Sequence, residues 1–97
     1  MQFLAISRMR TDKFSDADFA PHLDAEAQRA RTLYIEGHVR QIWYRGDERG
    51  AVSMLEASDE KAARELIDSL PMVQAGMLEL VMMIPLVPYR GFGPRPA

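Results

Sequence analysis

The residue in this chain whose placement most calls for chemistry is Glu26, inside the stretch FAPHLDAEAQRARTLYIEG that ends at Gly37. With Leu23 set at zero and a turn of about 100° per residue, Phe19, Ala27, Ala30, Leu33 and Tyr34 share one arc of a helix, and Glu26 falls inside it. Asp24, Gln28, Arg31 and Thr32 point the other way. An ionised carboxylate on an apolar face is too costly to keep without a partner, so this one is neutral, paired or working. In a partly dry pocket its neutral form is favoured and its pKa rises toward working pH, the property a general acid–base needs. The same position also reads as a structural salt bridge, with Arg29 or Arg40 in reach.

Other residue types form a second tier. His22 lies one turn before Glu26. Arg40 could grip a substrate carboxylate with two parallel hydrogen bonds, Trp43 and Tyr44 could flank a flat ligand, and Ser53 could help shape the site. The same four residues also read as ordinary sheet packing. His22 and His38 have no metal-ligand spacing, and with no cysteine there is no thiolate nucleophile, disulfide framework or Cys-bound zinc. Met72, Met77, Met82 and Met83 read as adaptable filler, and Asp47, Glu48 and Arg49 as a solvated hairpin tip. Phosphate loops, Ser-His-Asp order and nucleophile elbows are missing, so neither a metal nor a cofactor is expected.

Composition narrows the classes. Ninety-seven residues make one small domain, which buries only about 60–65% of the surface its unfolded chain would expose, and a partner copy would help. With 47% apolar and 27% charged residues the chain is an ordinary globule. A net charge of −2 leaves no basic footprint for nucleic acid, and the segment RGAVSMLEA lacks the aromatics an RNA-recognition strand presents. The opening MQFLAISRMR has its charges after the apolar run, the reverse of a secretion signal, and no run approaches the ~20 residues of a membrane span. A cytoplasmic protein with no nucleic-acid or membrane partner is the expectation.

The elements that must hold these residues follow from periodicity. Phe3–Met9 reads as a strand, and a helix regular from Phe19 or Ala20, after a lead-in turn at Ser15 and despite Pro21, runs to Gly37. His38–Arg45 and Ala51–Ala57 bracket a Gly-containing turn, which puts Arg45 opposite Gly50, Trp43 opposite Val52 and Ile42 opposite Ser53. One face then carries Val39, Gln41, Trp43, Val52 and Met54, the other Arg40, Ile42, Tyr44, Ala51, Ser53 and Leu55. Ser58 caps a second helix with a stripe at Ala62, Ala63, Leu66, Ile67 and Leu70, stopped by Pro71, and Met77–Ile84 forms the last strand. Strand, helix, strand, strand, helix, strand is a ferredoxin-like α+β sandwich, a four-stranded antiparallel sheet with two helices on one face, spanning residues 1–84. The other sheet face, with Met77, Glu79, Val81 and Met83 or their alternates, would stay bare in a monomer, so a homodimer through that face, or a higher oligomer, is expected. Residues 85–97, with Pro85, Pro88, Pro94 and Pro96, read as an arm that is free or laid across a neighbour.

The runs LDAEAQRARTLYIEGHVRQIWYR and SMLEASDEKAARELIDSLPMV resemble the muconolactone isomerase family. The shared marks are a helical Glu before Glu36-Gly37, an Arg and a Trp in the next strand at Arg40 and Trp43, and Leu70-Pro71-Met72 after the second helix. The resemblance implies a dimeric α+β barrel, a cofactor-free site between the first helix and the sheet, and a C-terminal arm that closes a neighbour's pocket. It also implies that Glu26 shuttles a proton across an unsaturated lactone. The family's hairpin supplies His, Tyr and Asn-type partners where this chain has Asp47, Glu48, Arg49 and Ala51, which points to a different substrate, such as an oxygenated ring from secondary metabolism that is isomerised, dehydrated or cyclised. The competing classes are a non-catalytic dimeric binding or assembly module, and a cofactor-free oxygenase or haem-handling member of the same architecture with His22 or His38 as ligand.

Overall fold

The computed structural model describes residues 1–94. Four strands, β1 (Gln2–Met9), β2 (Val39–Tyr44), β3 (Ala51–Glu56) and β4 (Leu78–Leu86), form one antiparallel sheet in the order β2-β3-β1-β4. The helices are α1 (Asp16–Phe19), α2 (Leu23–Ile35), α3 (Glu60–Asp68) and α4 (Pro71–Gln74). This is the expected ferredoxin-like α+β fold. None of the helices is long and apolar enough to cross a membrane.

The first helical stretch forms in steps because of its proline. Ser15 caps α1 through a reciprocal capping box with Asp18, then Pro21 occupies a 3₁₀ turn over Ala20–His22 that needs fewer backbone donors. Regular α-helix therefore starts at Leu23, a turn later than the sequence suggests, and stops at Gly37, which takes φ +84°. The cap of α3 is Asp59 rather than Ser58: its carboxylate accepts from the Ala62 N–H at 2.8 Å, and an acid suits the positive helix end better than a hydroxyl. Pro71 does more than stop that helix, for it opens α4 at the position where a missing N–H is harmless.

Two bulges set which side chains face the helices. The hairpin pairs Trp43 with Val52 and Ile42 with Ser53 as expected, but the register shifts around Arg40, so Val39 pairs with Leu55 and joins the buried face instead of that of Trp43. A second shift, beside Val81, turns the next residues of β4 over. Met83 is thus in the core with Phe3, Ala5, Leu33, Val39, Leu55, Ala63 and Ile67. Met77 is buried in a second cluster with Phe19, Met72 and Leu78. The uncovered sheet face is formed by the alternates: Leu4, Ile6, Trp43, Val52, Met54, Met82 and Ile84 follow from the pairing, with Glu79 at its end. Strand β4 continues through Pro85 to Leu86, beyond the expected start of the arm at residue 85; on an edge strand a proline's missing N–H is tolerated. Residues 95–97 of that expected arm lie outside the described residues.

The β2–β3 hairpin is fastened to β1 by a side chain where the ladder ends. Buried Ser7 donates its hydroxyl to the Ala51 carbonyl and accepts from the Ala51 N–H, both at 3.2 Å, while its own carbonyl accepts from Arg45 Nη1 at 3.3 Å. This close approach requires Gly50, since a Cβ there would lie 2.2 Å from the Ser7 carbonyl oxygen. Gly50→Ala is therefore expected to cost about 1–3 kcal/mol in chemical denaturation, as overpacking typically does, whereas Gly46→Ala, with open space around it, stays within about 0.5 kcal/mol.

Candidate functional site

Glu26 is half-buried in the first turn of α2 and turned toward α4. Its Oε1 accepts a hydrogen bond of 2.9 Å from the Met72 N–H, one of the donors left open at the start of α4, where Leu70 offers no side-chain cap. The arginines named as its partners are engaged elsewhere. Arg29 donates to the Ser69 hydroxyl at 3.1 Å and Arg40 lies 3.8 Å from Glu56, so among the described residues Glu26 belongs to no ion pair. Burial pushes its carboxyl pKa above the ordinary glutamate value, and the single backbone donor only partly offsets this.

The surface between α2 and the edge strand β2 is a shallow groove with two hollows, one toward each end of the helix, since the chain reverses at Gly37 and the start of α2 lies near the end of β2. One, of about 310 Å³, lies between Ala30 and Tyr34 of α2 and Val39 and Ile42 of β2. The other, of about 480 Å³, lies where Leu23 meets Met9, Tyr44 and the hairpin turn Arg45–Gly50. Both are large enough for a ring-sized guest. Glu26 lines neither wall. On the helix it sits three residues after Leu23 and four before Ala30, which makes it the direct surface neighbour of a wall residue of each hollow.

The remaining predicted residues are only partly gathered there. Tyr44 borders the larger hollow and is almost fully exposed; Ser53 pairs with Ile42 and Ala5 and so shares the helix-covered face. His22 closes the 3₁₀ turn next to Leu23. Trp43 is on the opposite, uncovered face, and Arg40 sits in the bulge beside Glu56, so the structure does not bring these two to the groove. His22 and His38 flank the 13-residue α2, some 20 Å apart along its axis, too far to share one ion.

A family model described as muconolactone delta-isomerase matches residues 1–90. The chain belongs to the muconolactone delta-isomerase family. No match is found among curated proteins. Among solved structures, the chain is similar to 5-chloro-2-hydroxyhydroquinone dehydrochlorinase from Burkholderia phenoliruptrix, in complex with 2,5-dihydroxybenzoquinone, at 16% identity and a TM-score of 0.58 over 87% of this chain and 89% of that one. At that identity the likeness speaks for the fold.

Within the family frame, the residues that sequence reasoning passed over are those of the hairpin turn. Arg45 is nearly enclosed, its side chain 15% exposed, because Asp47 takes two of its donors at 2.9 and 2.7 Å and Glu48 and the Ser7 carbonyl share a third. That grip holds the Asp47 carboxyl down at about 2. The signal was the spacing Arg45-x-Asp47-Glu48, which a solvated tip does not need. The turn is thus a rigid wall of the larger hollow.

The environment of Glu26 makes a stability prediction of definite sign. A carboxyl whose folded pKa is raised favours the folded state below its unfolded pKa, and that contribution is lost as pH rises through the folded value. Glu26→Gln, which keeps an acceptor for the Met72 N–H, should therefore be at least as stable as the native protein at pH 7, and the two should converge near pH 4. Glu26→Ala leaves that donor without a cap and should cost about 1 kcal/mol in urea unfolding.

Proposed function

We propose that the protein is a cofactor-independent acid–base enzyme, an isomerase, lyase or cyclase, that acts on a small oxygenated ring held in the groove between α2 and β2. Glu26 moves the proton. The observation that carries this reading is a half-buried carboxylate, outside every ion pair of the described residues and with a raised pKa, on the helix that walls both hollows. Family membership supports the chemistry, and the related fold that holds 2,5-dihydroxybenzoquinone supports a ring-sized guest.

The chemical step needs no further group to balance. Ionised Glu26 takes a proton from a carbon next to a carbonyl, the electron pair spreads into an enolate, and the protonated acid returns the proton at another carbon or to a departing oxygen. A raised pKa brings the two protonation states closer in free energy than in a free glutamate, which makes Glu26 a stronger base. Tyr44 and Leu23 flank the ring, with His22 next to Leu23 in the chain and Ser53 on the helix-covered sheet face.

A binding module in which Glu26 is only the cap of α4 is the second reading, favoured by the 2.9 Å bond to Met72. Turnover separates the two. In a panel of unsaturated lactones and hydroxylated quinones, Glu26→Gln should lower kcat by about 10²–10⁴-fold with little change in KM; unchanged kcat in the variant would end the assignment of Glu26, and no conversion of any ring by the native protein would favour the binding module.

We propose further that the uncovered face, with Leu4, Ile6, Val52, Met54 and Met82, pairs with its copy in a homodimer, since contiguous apolar area of this kind seldom stays in water. Met54→Glu puts a charge in the middle of that patch and should give a monomer in analytical ultracentrifugation where the native chain gives a dimer.

A further inference from the structure

The larger hollow has a cation on its wall whose surroundings differ from those of its neighbour. Arg45 and Arg49 both border it. Arg45 is saturated by Asp47, Glu48 and the Ser7 carbonyl, and so can only hold the turn in shape. Arg49 is half exposed and makes a single ion pair, from Nη1 to Asp16 of α1, outside the hollow. Its guanidinium carbon lies 5.4 Å from the ring centroid of Phe19, a residue 1% exposed that anchors the second core cluster. Stacking and the ion pair fix the plane of the guanidinium, while Nε and Nη2 carry no hydrogen bond among the described residues. The acids beside it, Asp47 and Glu48, are both turned onto Arg45.

A planar cation so held, on a hollow whose wall also carries Met9, Leu23 and Tyr44 and whose acids Asp47 and Glu48 are neutralised by Arg45, has the parts of a receptor for a flat ring that carries an oxyanion. We infer that Arg49 is the residue that selects the substrate: it grips a carboxylate, phenolate or enolate oxygen of the ring, with Tyr44 and Leu23 against the ring faces. This rests on the proposed use of the groove as the substrate site and adds to it the charge of the substrate. Through Leu23, the gripped ring is one helical turn from Glu26, and an oxygen on Arg49 is where the negative charge of an enolate would be received.

The test is direct binding by calorimetry at pH 7, with 2,5-dihydroxybenzoquinone as an acidic, anionic ring and hydroquinone as a neutral ring of the same size. The native protein is expected to bind the anion at least about tenfold more tightly than hydroquinone, since a hydrogen bond to a charged group is worth about that factor or more. Arg49→Gln should lose that preference and bind hydroquinone unchanged. Asp16→Asn, which removes the competing carboxylate but keeps the guanidinium, should bind the anion as well as the native protein or a few-fold better. The inference is overturned by any of three results: Arg49→Gln keeps the preference, Asp16→Asn loses it as Arg49→Gln does, or the native protein binds neither ring. Glu26→Gln should keep the preference, so loss of the Glu26 assignment through that variant's kcat and loss of the Arg49 assignment through binding are read separately.

Discussion

One hydrogen bond ties the proposed chemistry to the architecture, that from the Met72 N–H to Glu26. The start of α4 needs an acceptor because Pro71 and Leu70 bring none, and α2 supplies it across the second core cluster. A carboxylate offered one donor in a half-dry setting receives less than water would give it, so its proton is held more tightly than in a free glutamate. The same contact therefore does two things. It docks a short helix that has little else to order its first turn, and it keeps an acid out of full hydration.

That groove exists because α2 is only loosely apolar on the side toward β2. Leu33 is its single buried residue, while Leu23 and Tyr34 remain half exposed or more. A small residue at Ala30 leaves room between helix and sheet where a leucine would have filled it. By contrast α3 buries Ala63 and Ile67 against the same sheet. One half of the helical layer is built as core and the other as a wall.

Much of this was legible in the sequence, since it is local. The alternation that gave Trp43–Val52 and Ile42–Ser53, the capping chemistry of Ser15 and the stop at Gly37 depend on neighbours in the chain. What escaped depends on pairing at a distance. The shifts at Arg40 and Val81 arise from how β2 and β4 fit twisted partners, and each moves a residue, Val39 or Met83, to the face opposite to strict alternation. Glu26 was legible as an acid on an inward face, but its partner was not: side-chain reasoning searches for a guanidinium, and the donor proved to be a backbone N–H 46 residues on.

The hairpin turn shows why charge in a loop resists reading from composition. Four charged residues in five positions look like a solvated tip, and summed they cancel. In space they divide into unequal roles. Arg45 takes both acids, is drawn in against the Ser7 carbonyl, and so stiffens the turn; this leaves Arg49 to reach back to Asp16 and the Phe19 ring. Gly50, with no Cβ, lets the turn sit against the Ser7 carbonyl at the end of β1. The set of the turn thus depends on one glycine, and which arginine is left to face a ligand depends on which of the two the acids hold.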